Sequence, residues 1–404
     1  MIYKYSYINQ TDKMEGGGHS AALCLHACYS EGQALQLDLP EQLDGHSFQA
    51  LAAYAFSAAN SYAPVNTALF FAADSLDRPL LRAALRNTAE SAPLFDVPEA
   101  AVDESLLPPR VAGDRLQALR LPTCLTRIGR YAFYNCTELS ALALSSCTDL
   151  GSGLFTGCDA VRELDVFVDE IRRSCLQELL LAFHNALLLR YWIPAAGTKA
   201  VGTETDRSVL PGERVFKEAD TPAHADTSEN AALFLKYRLI FPQYYENADE
   251  NTPARITVRD LHGSGLFYRN CFADSQFQIE RYDQPFAHAE ANEPEDVTTA
   301  LAFCRLLVPT GLSDEAADRY RAYLHAHPAA LARHILSGFQ SGSYEAAALR
   351  AVLAPPFLNE ALINALIDEL TGMRQTPAAL LSLFMDIKKQ KFSKAQRARR
   401  FELL

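Results

Sequence analysis

The sequence predicts an α+β protein, in which a short solenoid of strand-and-turn units is followed by a mixed region and a stack of helical hairpins. Three observations support this prediction. A sequence pattern recurs every 22 to 23 residues, and a segment in which apolar and polar residues alternate on either side of a turn precedes it. Helix-like segments separated by glycine and proline fill the last quarter of the chain. The 404 residues, 49% of them hydrophobic and 21% charged, have the composition of an ordinary folded chain with two or three folding units.

A β-hairpin is predicted at the N-terminus. The segment from Ser20 to Pro40 alternates apolar and polar residues on either side of Ser30-Glu31-Gly32-Gln33, which has the composition of a turn. We therefore assign residues 1–34 to an N-terminal hairpin cap that leads into the first repeated unit.

The repeat is the most informative part of the sequence. Ile128 to Leu144 recurs 22 residues later as Leu150 to Val166, and Leu116 to Cys124 recurs 23 residues later from Leu139 to Cys147. The spacing L-x-x-L-x-L predicts a short strand with inward apolar residues, after which the chain turns back to begin the next strand. Each unit then buries its apolar face only against its neighbours.

Equivalent residues of the repeat suggest how the units stack. The equivalent pairs are Gly129 and Gly151, Phe133 and Phe155, and Cys136 and Cys158. We expect the glycines to permit a tight turn, the phenylalanines to fill the back of each unit, and the cysteines to stack as small buried thiols. These cysteines are therefore interpreted as ladder residues and not as metal ligands.

The signature I-G-x-x-A-F-x-x-C-x-x-L, found at Ile128 to Leu139, resembles the BspA-like subclass of leucine-rich repeats. A weaker copy without the cysteine spans Leu37 to Asn60 and is similar to an opening unit. Residues 35–168 are thus predicted to be repeats, with an insertion at 61–113 that contains a helix near Leu76 to Thr88. The resemblance implies an architecture and not a reaction, and many BspA-like proteins are secreted or surface adhesins.

Residues 169–294 are predicted to be a mixed α+β region. A strand at Leu164 to Val168 leads into it, followed by a helix at Cys175 to Phe183 and a strand at Ala186 to Trp192. Ala195 to Asn230 has the glycine, threonine and acid content of a loop. Ala232 to Ile240 is apolar, and its periodicity fits a strand and a helix equally well.

Residues 295–404 are predicted to form α-helical hairpin repeats. Ser313 is the candidate N-cap of the second helix. The helices are expected at Val297–Leu307, Asp314–His325, Pro328–Leu336, Tyr344–Leu353, Glu360–Leu370 and Pro377–Lys388. Two successive helices make a pair of about 33 residues, near the period of known helical repeats, but the signatures of those families are missing.

Candidate chemistry in the sequence is sparse. Cys24, His26 and Cys28 would share one strand face and could bind zinc, yet their spacing fits no usual zinc motif, so a hairpin with its other face buried is preferred. His327 and His334 lie on one helical face without the acidic partner of an H-E-x-x-H site. We therefore predict no catalytic residue, no metal site and no cofactor, and we consider an enzyme the less favoured class.

Charge and segment composition restrict the partners and the location. The formal net charge of -12 repels phosphate backbones, so nucleic acid is not expected as a partner. The N-terminal residues lack the apolar run of a signal peptide, and the most apolar window, Leu176 to Ile193, contains charged residues that oppose a membrane span. Nine scattered cysteines do not form the framework of a small secreted domain. These features predict a cytoplasmic protein.

The leading functional hypothesis is a non-enzymatic interaction or scaffold protein with an unknown protein partner. The alternatives are an exported or cell-surface adhesin and a hydrolase or metal enzyme in the middle region. On the strand face not used for the core, alternation is expected to leave a strip of six residues outward, which could accept an elongated partner segment or be covered by the middle region. The strip comprises Ala118, Arg120, Ala141, Ala143, Glu163 and Asp165.

Overall fold

A computed structural model of the chain describes residues 1–8, 22–32, 35–59, 67–86, 93–145, 149–168, 174–194, 233–251 and 256–392. The loop expected at Ala195 to Asn230 and the last basic residues, 393–404, lie outside the described residues. The described part is α+β and contains the repeated strands that the sequence predicts.

The chain divides into two compact units. The first comprises the described residues of 1–185, 192–194 and 233–234, and the second comprises those of 186–191 and 235–392. The strands are β1 Ile2–Ile8, β2 Ala22–Tyr29, β3 Leu35–Asp38, β4 Gln42–Leu43, β5 His46–Leu51, β6 Phe70–Ala73, β7 Val97–Pro98, β8 Leu116–Arg120, β9 Arg127–Ile128, β10 Ala141–Ser145, β11 Asp149–Leu150, β12 Glu163–Phe167, β13 Leu187–Pro194, β14 Leu233–Phe241, β15 Tyr245–Asn251, β16 Ile256–His262, β17 Phe272–Ala273 and β18 Gln276–Phe277. The helices are α1 Arg78–Ala83, α2 Leu176–Ala182, α3 Gly265–Arg269, α4 Ile279–Tyr282, α5 Phe286–Asn292, α6 Glu295–Leu307, α7 Asp314–Ala326, α8 Pro328–Gln340, α9 Ala346–Val352, α10 Glu360–Gly372 and α11 Ala378–Lys391.

Three successive units build the repeat region of the first unit. We call residues 35–59 repeat 1, 116–136 repeat 2 and 141–158 repeat 3. Their first strands, β3, β8 and β10, pair in parallel, and β12 continues the same sheet. Their second strands, β5, β9 and β11, form a second parallel ladder. The sequence offset of 22 to 23 residues therefore corresponds to one step along both ladders.

The N-terminal hairpin differs from the predicted one. The sequence suggested that the strands on either side of Ser30 to Gln33 pair with each other, but β2 pairs with β1 in antiparallel register and with β5 in parallel. β3 instead pairs with β8 of repeat 2. The local alternation of apolar and polar residues identified β2 and β3 as strands. It did not show that β3 pairs with β8, which is distant in the sequence.

The segment between repeats 1 and 2 extends the sheet of β1. β6 pairs with β1, and β7 pairs with β6. Helix α1 is shorter than predicted, and Leu81 from this helix enters a buried cluster with Ile2 and Phe71. Lys4 binds Glu99 and Glu104 at 2.6 and 2.7 Å. The insertion is thus held to the N-terminal strand by apolar packing and by ion pairs.

The second unit is dominated by helices whose positions follow the sequence closely. α6 packs against α7, α8 and α9, while α10 packs against α8 and α11. The predicted N-cap Ser313 accepts a hydrogen bond from the Ala316 amide, as helix capping requires. The ambiguous segment before Phe241 is a strand, β14, which lies next to β13.

Candidate functional site

The predicted partner-binding strip lies on the first strands of the repeats, in two rows. Ala118, Ala141 and Glu163 form one row, and Arg120, Ala143 and Asp165 form the other. Five of the six residues are only 1 to 8% exposed, so most of the strip is covered by other side chains. Glu163 alone of the six is half-buried.

The polar members of the strip are covered by aromatic side chains. The Arg120 guanidinium lies 5.4 Å from the centre of the Phe167 ring, and the Trp192 indole donates a 2.8 Å hydrogen bond to the Asp165 carboxylate. Burying these charged groups requires such contacts. Both faces of the strands are therefore used in packing, which alternation along a single strand could not reveal.

A ladder of aromatic rings and thiols fills the repeats. The rings of Phe56, Phe133 and Phe155 stack with centroid separations of 5.8 and 5.5 Å. The Cys136 thiol donates to the Phe56 carbonyl at 3.1 Å, and the Cys158 thiol donates to the Phe133 carbonyl at 2.9 Å. Each cysteine thus satisfies a backbone acceptor of the preceding repeat.

Backbone amides at the turn of each repeat form a second ladder. In repeat 1, the N–H groups of Tyr54, Phe56 and Ala58 donate to the carbonyls of Arg130, Ala132 and Tyr134 at 3.2, 2.8 and 3.0 Å. In repeat 2, those of Tyr131, Phe133 and Asn135 donate to the carbonyls of Ser152, Leu154 and Thr156 at 3.1, 3.2 and 2.9 Å. In both repeats, the N–H groups of three alternate residues therefore donate to carbonyls of the next repeat.

In repeat 3 this row of amides has no acceptor. The equivalent residues are Gly153, Phe155 and Gly157, and within the described part of the chain their N–H groups make no hydrogen bond. We call these three N–H groups the amide row. It is a regular set of donors that the repeat leaves unsatisfied at its last turn.

The amide row lines an open groove of about 460 Å³ in the first unit. Its other polar side chains include Asp159 and Glu178, which are both exposed. The full lining is Leu150, Gly151, Gly153, Leu154, Phe155, Thr156, Gly157, Asp159, Glu178, Ala182 and His184. We call this feature the repeat-3 groove.

Two glycines lie at the turn of repeat 3. Gly153 and Gly157 have φ values of +64° and +79°, and they take the places of Tyr131 and Asn135, which have φ values of +54° and +56°. Repeat 2 therefore has side chains where repeat 3 has none. A Cβ at Gly153 would collide with the Tyr131 ring and one at Gly157 with the Asn135 amide, so the two glycines make room for these side chains of repeat 2.

Two parallel ladders advanced by one repeat, with stacked phenylalanines and cysteines, define the class of a leucine-rich repeat. Residues 112–181 match the family described as "BspA type Leucine rich repeat region (6 copies)". The repeats of this region are thus of the BspA leucine-rich-repeat type, as their signature indicated. Comparisons with curated proteins and with solved structures give no match.

The other candidate groups lie in packed environments. Cys28 is buried, Cys24 is half-buried, and the His26 imidazole hydrogen-bonds the Ser6 hydroxyl at 3.0 Å. Burial and, secondarily, the positive charge of Lys4 lower the pKa of His26 to about 4. The structure places no group of three or more His, Cys, Asp or Glu side chains within metal-binding reach among the residues it describes.

The histidines near the helical stack also have packing partners. His325 and His327 hydrogen-bond the carbonyls of Phe357 and Tyr323 at 2.6 and 2.8 Å. Burial lowers the pKa of His334 to about 4. The His334 Nε2 atom and the Tyr344 hydroxyl oxygen lie 2.5 Å apart and form a hydrogen bond. Across the described ranges, no helix is both long and apolar enough to cross a membrane.

The sequence contained a partial signal for the turn of repeat 3. The repeat pattern assigned a role to Gly151, and Gly153 and Gly157 stand where the preceding unit has Tyr131 and Asn135. The row of unpaired amides depends on what packs against this turn, which the pattern of one repeat does not show.

Proposed function

We propose that this chain is a non-enzymatic protein-protein interaction protein, in which repeats 1 to 3 form a short solenoid that binds a partner at the repeat-3 groove. The observation that supports this most strongly is the amide row. Unpaired backbone donors at the edge of an ordered ladder favour the addition of another chain. The BspA-type repeats agree with a role in protein binding, because stacked repeats present extended surfaces.

A site-specific photo-crosslinking experiment tests this function. A photoreactive amino acid replaces Thr156, which lines the groove, or Thr137, an exposed threonine in the segment between repeats 2 and 3. In the native cell, we expect a reproducible protein adduct from position 156 that is missing from position 137. The same adducts from both positions, or none from either, would contradict the proposal.

The location of the interaction is a separate question. The sequence predicts the cytoplasm, whereas an adhesin-like role would place the same binding activity at the cell surface. Fractionation of the native cell, followed by protease treatment of intact cells, separates the two. Full protection from the protease supports the cytoplasmic prediction, and cleavage supports the adhesin.

The predicted strip and the helical stack contribute differently to this proposal. Burial of five strip residues leaves Glu163, which is half-buried, as the least covered member of the strip. The helical hairpin stack from Glu295 onward remains a second predicted interaction surface. Crosslinks from the groove position alone would assign the binding to the repeats.

A further inference from the structure

Four segments of the first unit bring five aromatic rings together. Tyr5 and Tyr7 lie on β1, His46 lies on β5, Phe70 lies on β6, and Phe95 precedes β7. The ring centroids of six pairs among these residues lie 5.6 to 6.2 Å apart. Tyr5 is fully buried, and the other four rings are half-buried. One side of this set, which we call the aromatic cluster, therefore reaches solvent.

A single carboxylate is hydrogen-bonded to both tyrosines of the aromatic cluster. Asp96 Oδ1 accepts from the Tyr5 and Tyr7 hydroxyls at 2.8 and 2.7 Å, and Oδ2 accepts from the Tyr7 hydroxyl at 2.8 Å. The Asp96 amide donates to the Tyr5 hydroxyl at 3.1 Å, and the residue has a φ of +55°. Asp96 is exposed. The structure thus fixes a negative charge beside the rings, on the side that reaches solvent.

The rings and charges of the aromatic cluster favour a cation. Burial, and secondarily the hydrogen bond to Asp96, raise the pKa of Tyr5 and of Tyr7 well above the ordinary value, so both phenols stay neutral. The faces of neutral aromatic rings attract cations. The exposed Asp44 adds a second negative charge near Tyr7, and its carbonyl accepts a 2.9 Å hydrogen bond from His46 Nδ1.

The hydrogen-bonding capacity of the site restricts which cation fits. Most acceptor positions of the Asp96 carboxylate are already used by the tyrosine hydroxyls. A lysine or arginine has several N–H donors, which lose free energy when they leave water without acceptors. Lys4 shows the contrast, since its Nζ lies 5.5 Å from the centre of the Phe71 ring and binds two carboxylates at 2.6 and 2.7 Å. An ammonium nitrogen that carries four carbon substituents has no N–H donor and needs no acceptor.

We propose that the aromatic cluster binds a quaternary ammonium group, held by the accessible ring faces and by the negative charge of Asp96. Within the ranges that the structure describes, the lysine and arginine side chains that lie over aromatic rings all contact rings outside the cluster. The site shares no residue with the repeat-3 groove, so this inference goes beyond the proposed function. Small molecules such as choline and trimethylated lysine side chains of proteins both carry the group.

Calorimetric titration of the full-length protein tests the site with choline. The control ligand is the neutral alcohol in which carbon replaces the choline nitrogen, because it has the same shape without the charge. We expect choline to bind about tenfold more tightly or better. A peptide with trimethyllysine, compared with the same peptide with lysine, forms the second arm. Tighter binding of the trimethylated peptide than of choline assigns a protein source, and the reverse order assigns a small molecule.

Two variants locate the binding, and a third is the matched control. Asp96→Asn removes the charge, keeps an acceptor for the tyrosine hydroxyls and tolerates the positive φ. Phe95→Leu removes one accessible ring and keeps an apolar side chain. We expect each variant to weaken choline binding about threefold or more. Asp114→Asn makes the same charge change at an exposed residue outside the cluster and should leave the affinity unchanged.

Several results would overturn this inference. They are the absence of choline binding, equal affinities for choline and the neutral alcohol, equal affinities for the two peptides, and unchanged binding in both variants. If Phe95→Leu destabilises the fold, Asp96→Asn still decides, together with magnetisation transfer in proton NMR from aromatic ring protons to the choline methyl groups. We expect this transfer in the unsubstituted protein, and its absence would also contradict the site. Crosslinking at Thr156 tests the repeat-3 groove independently of these results.

Discussion

Truncation of the central ring of the phenylalanine ladder provides a quantitative test of the repeat packing. Phe133 is fully buried and stacks on Phe56 at 5.8 Å and on Phe155 at 5.5 Å. Removal of a buried phenylalanine side chain costs about 3–5 kcal/mol. Because each aromatic contact contributes about 0.5–1.5 kcal/mol beyond the buried area, the two contacts of Phe133 place its loss in the upper part of that range. We therefore expect Phe133→Ala to lower the free energy of unfolding of the first unit by about 4–5 kcal/mol.

The single tryptophan makes this measurement selective. Trp192 is the only tryptophan in the sequence, and it is buried against Asp165 of β12 in the first unit. Denaturant unfolding of the full chain, followed by tryptophan fluorescence, thus reports on the sheet that carries the repeats. Tyr134→Ala is the control, because Tyr134 is half-buried next to Phe133, and we expect it to cost about 1 kcal/mol.

A double-mutant cycle tests the stacking itself. Alanine at both Phe133 and Phe155 should show a coupling free energy of about 0.5–1.5 kcal/mol. Alanine at Phe133 and at Phe71, which belongs to the separate cluster of α1 and β6, should show additive losses. A loss below about 2 kcal/mol for Phe133→Ala, or no coupling with Phe155, would refute the ladder as the source of stability.

Three further predictions follow from individual contacts. Because the pKa of His26 is about 4 in the folded state and 6.5 in the reference state, the unfolded state takes up the proton first. Stability should therefore fall as the pH drops from about 6.5 to 4, by up to about 3 kcal/mol, and His26→Gln should reduce the slope of stability against pH in this window. Asp283 binds the buried Arg305 at 2.8 and 2.9 Å, so Asp283→Ala should cost about 3–5 kcal/mol in the second unit, measured by circular dichroism during unfolding; a loss near zero would contradict a paired buried charge. Gly151→Ala should destabilise the fold strongly, because its Cβ would lie 2.3 Å from the Arg130 backbone nitrogen. The Cβ of Gly372→Ala meets no atom within 4 Å, so this variant should raise the free energy of unfolding by about 0.4–1 kcal/mol. Equal melting temperatures of the two variants would refute this contrast.

Local patterns in the sequence were sufficient for much of the fold. Helices α6, α8 and α10 begin within two residues of their predicted starts, since proline, glycine and capping residues act through adjacent backbone groups. The repeat signature identified the stacking of Phe133 and Cys136, because equivalent residues of successive units must meet. These features depend on short-range geometry or on exact periodicity.

Features that depend on partners distant in sequence were not predictable in this way. β2 and β3 are both strands, yet their separation into different sheets follows from pairing with β1 and β8. Arg120 and Asp165 alternate as outward residues should, but Phe167 and Trp192 cover them. Periodicity along one strand indicates which face a residue occupies, and it contains no information about what covers that face.

The repeat-3 groove arises at the last turn of the repeats that the structure describes. Within repeats 1 and 2, each turn is satisfied by its successor, so neither offers its amides to a partner. Repeat 3 keeps the phenylalanine and cysteine that stack on repeat 2, and a Cβ at Gly153 or Gly157 would collide with Tyr131 or Asn135 of repeat 2. The two glycines therefore serve the packing between repeats 2 and 3. The amide row is left without acceptors because no further turn of the same kind stacks on repeat 3 in the described part of the chain, so the unpaired donors result from position in the row and not from a change in sequence.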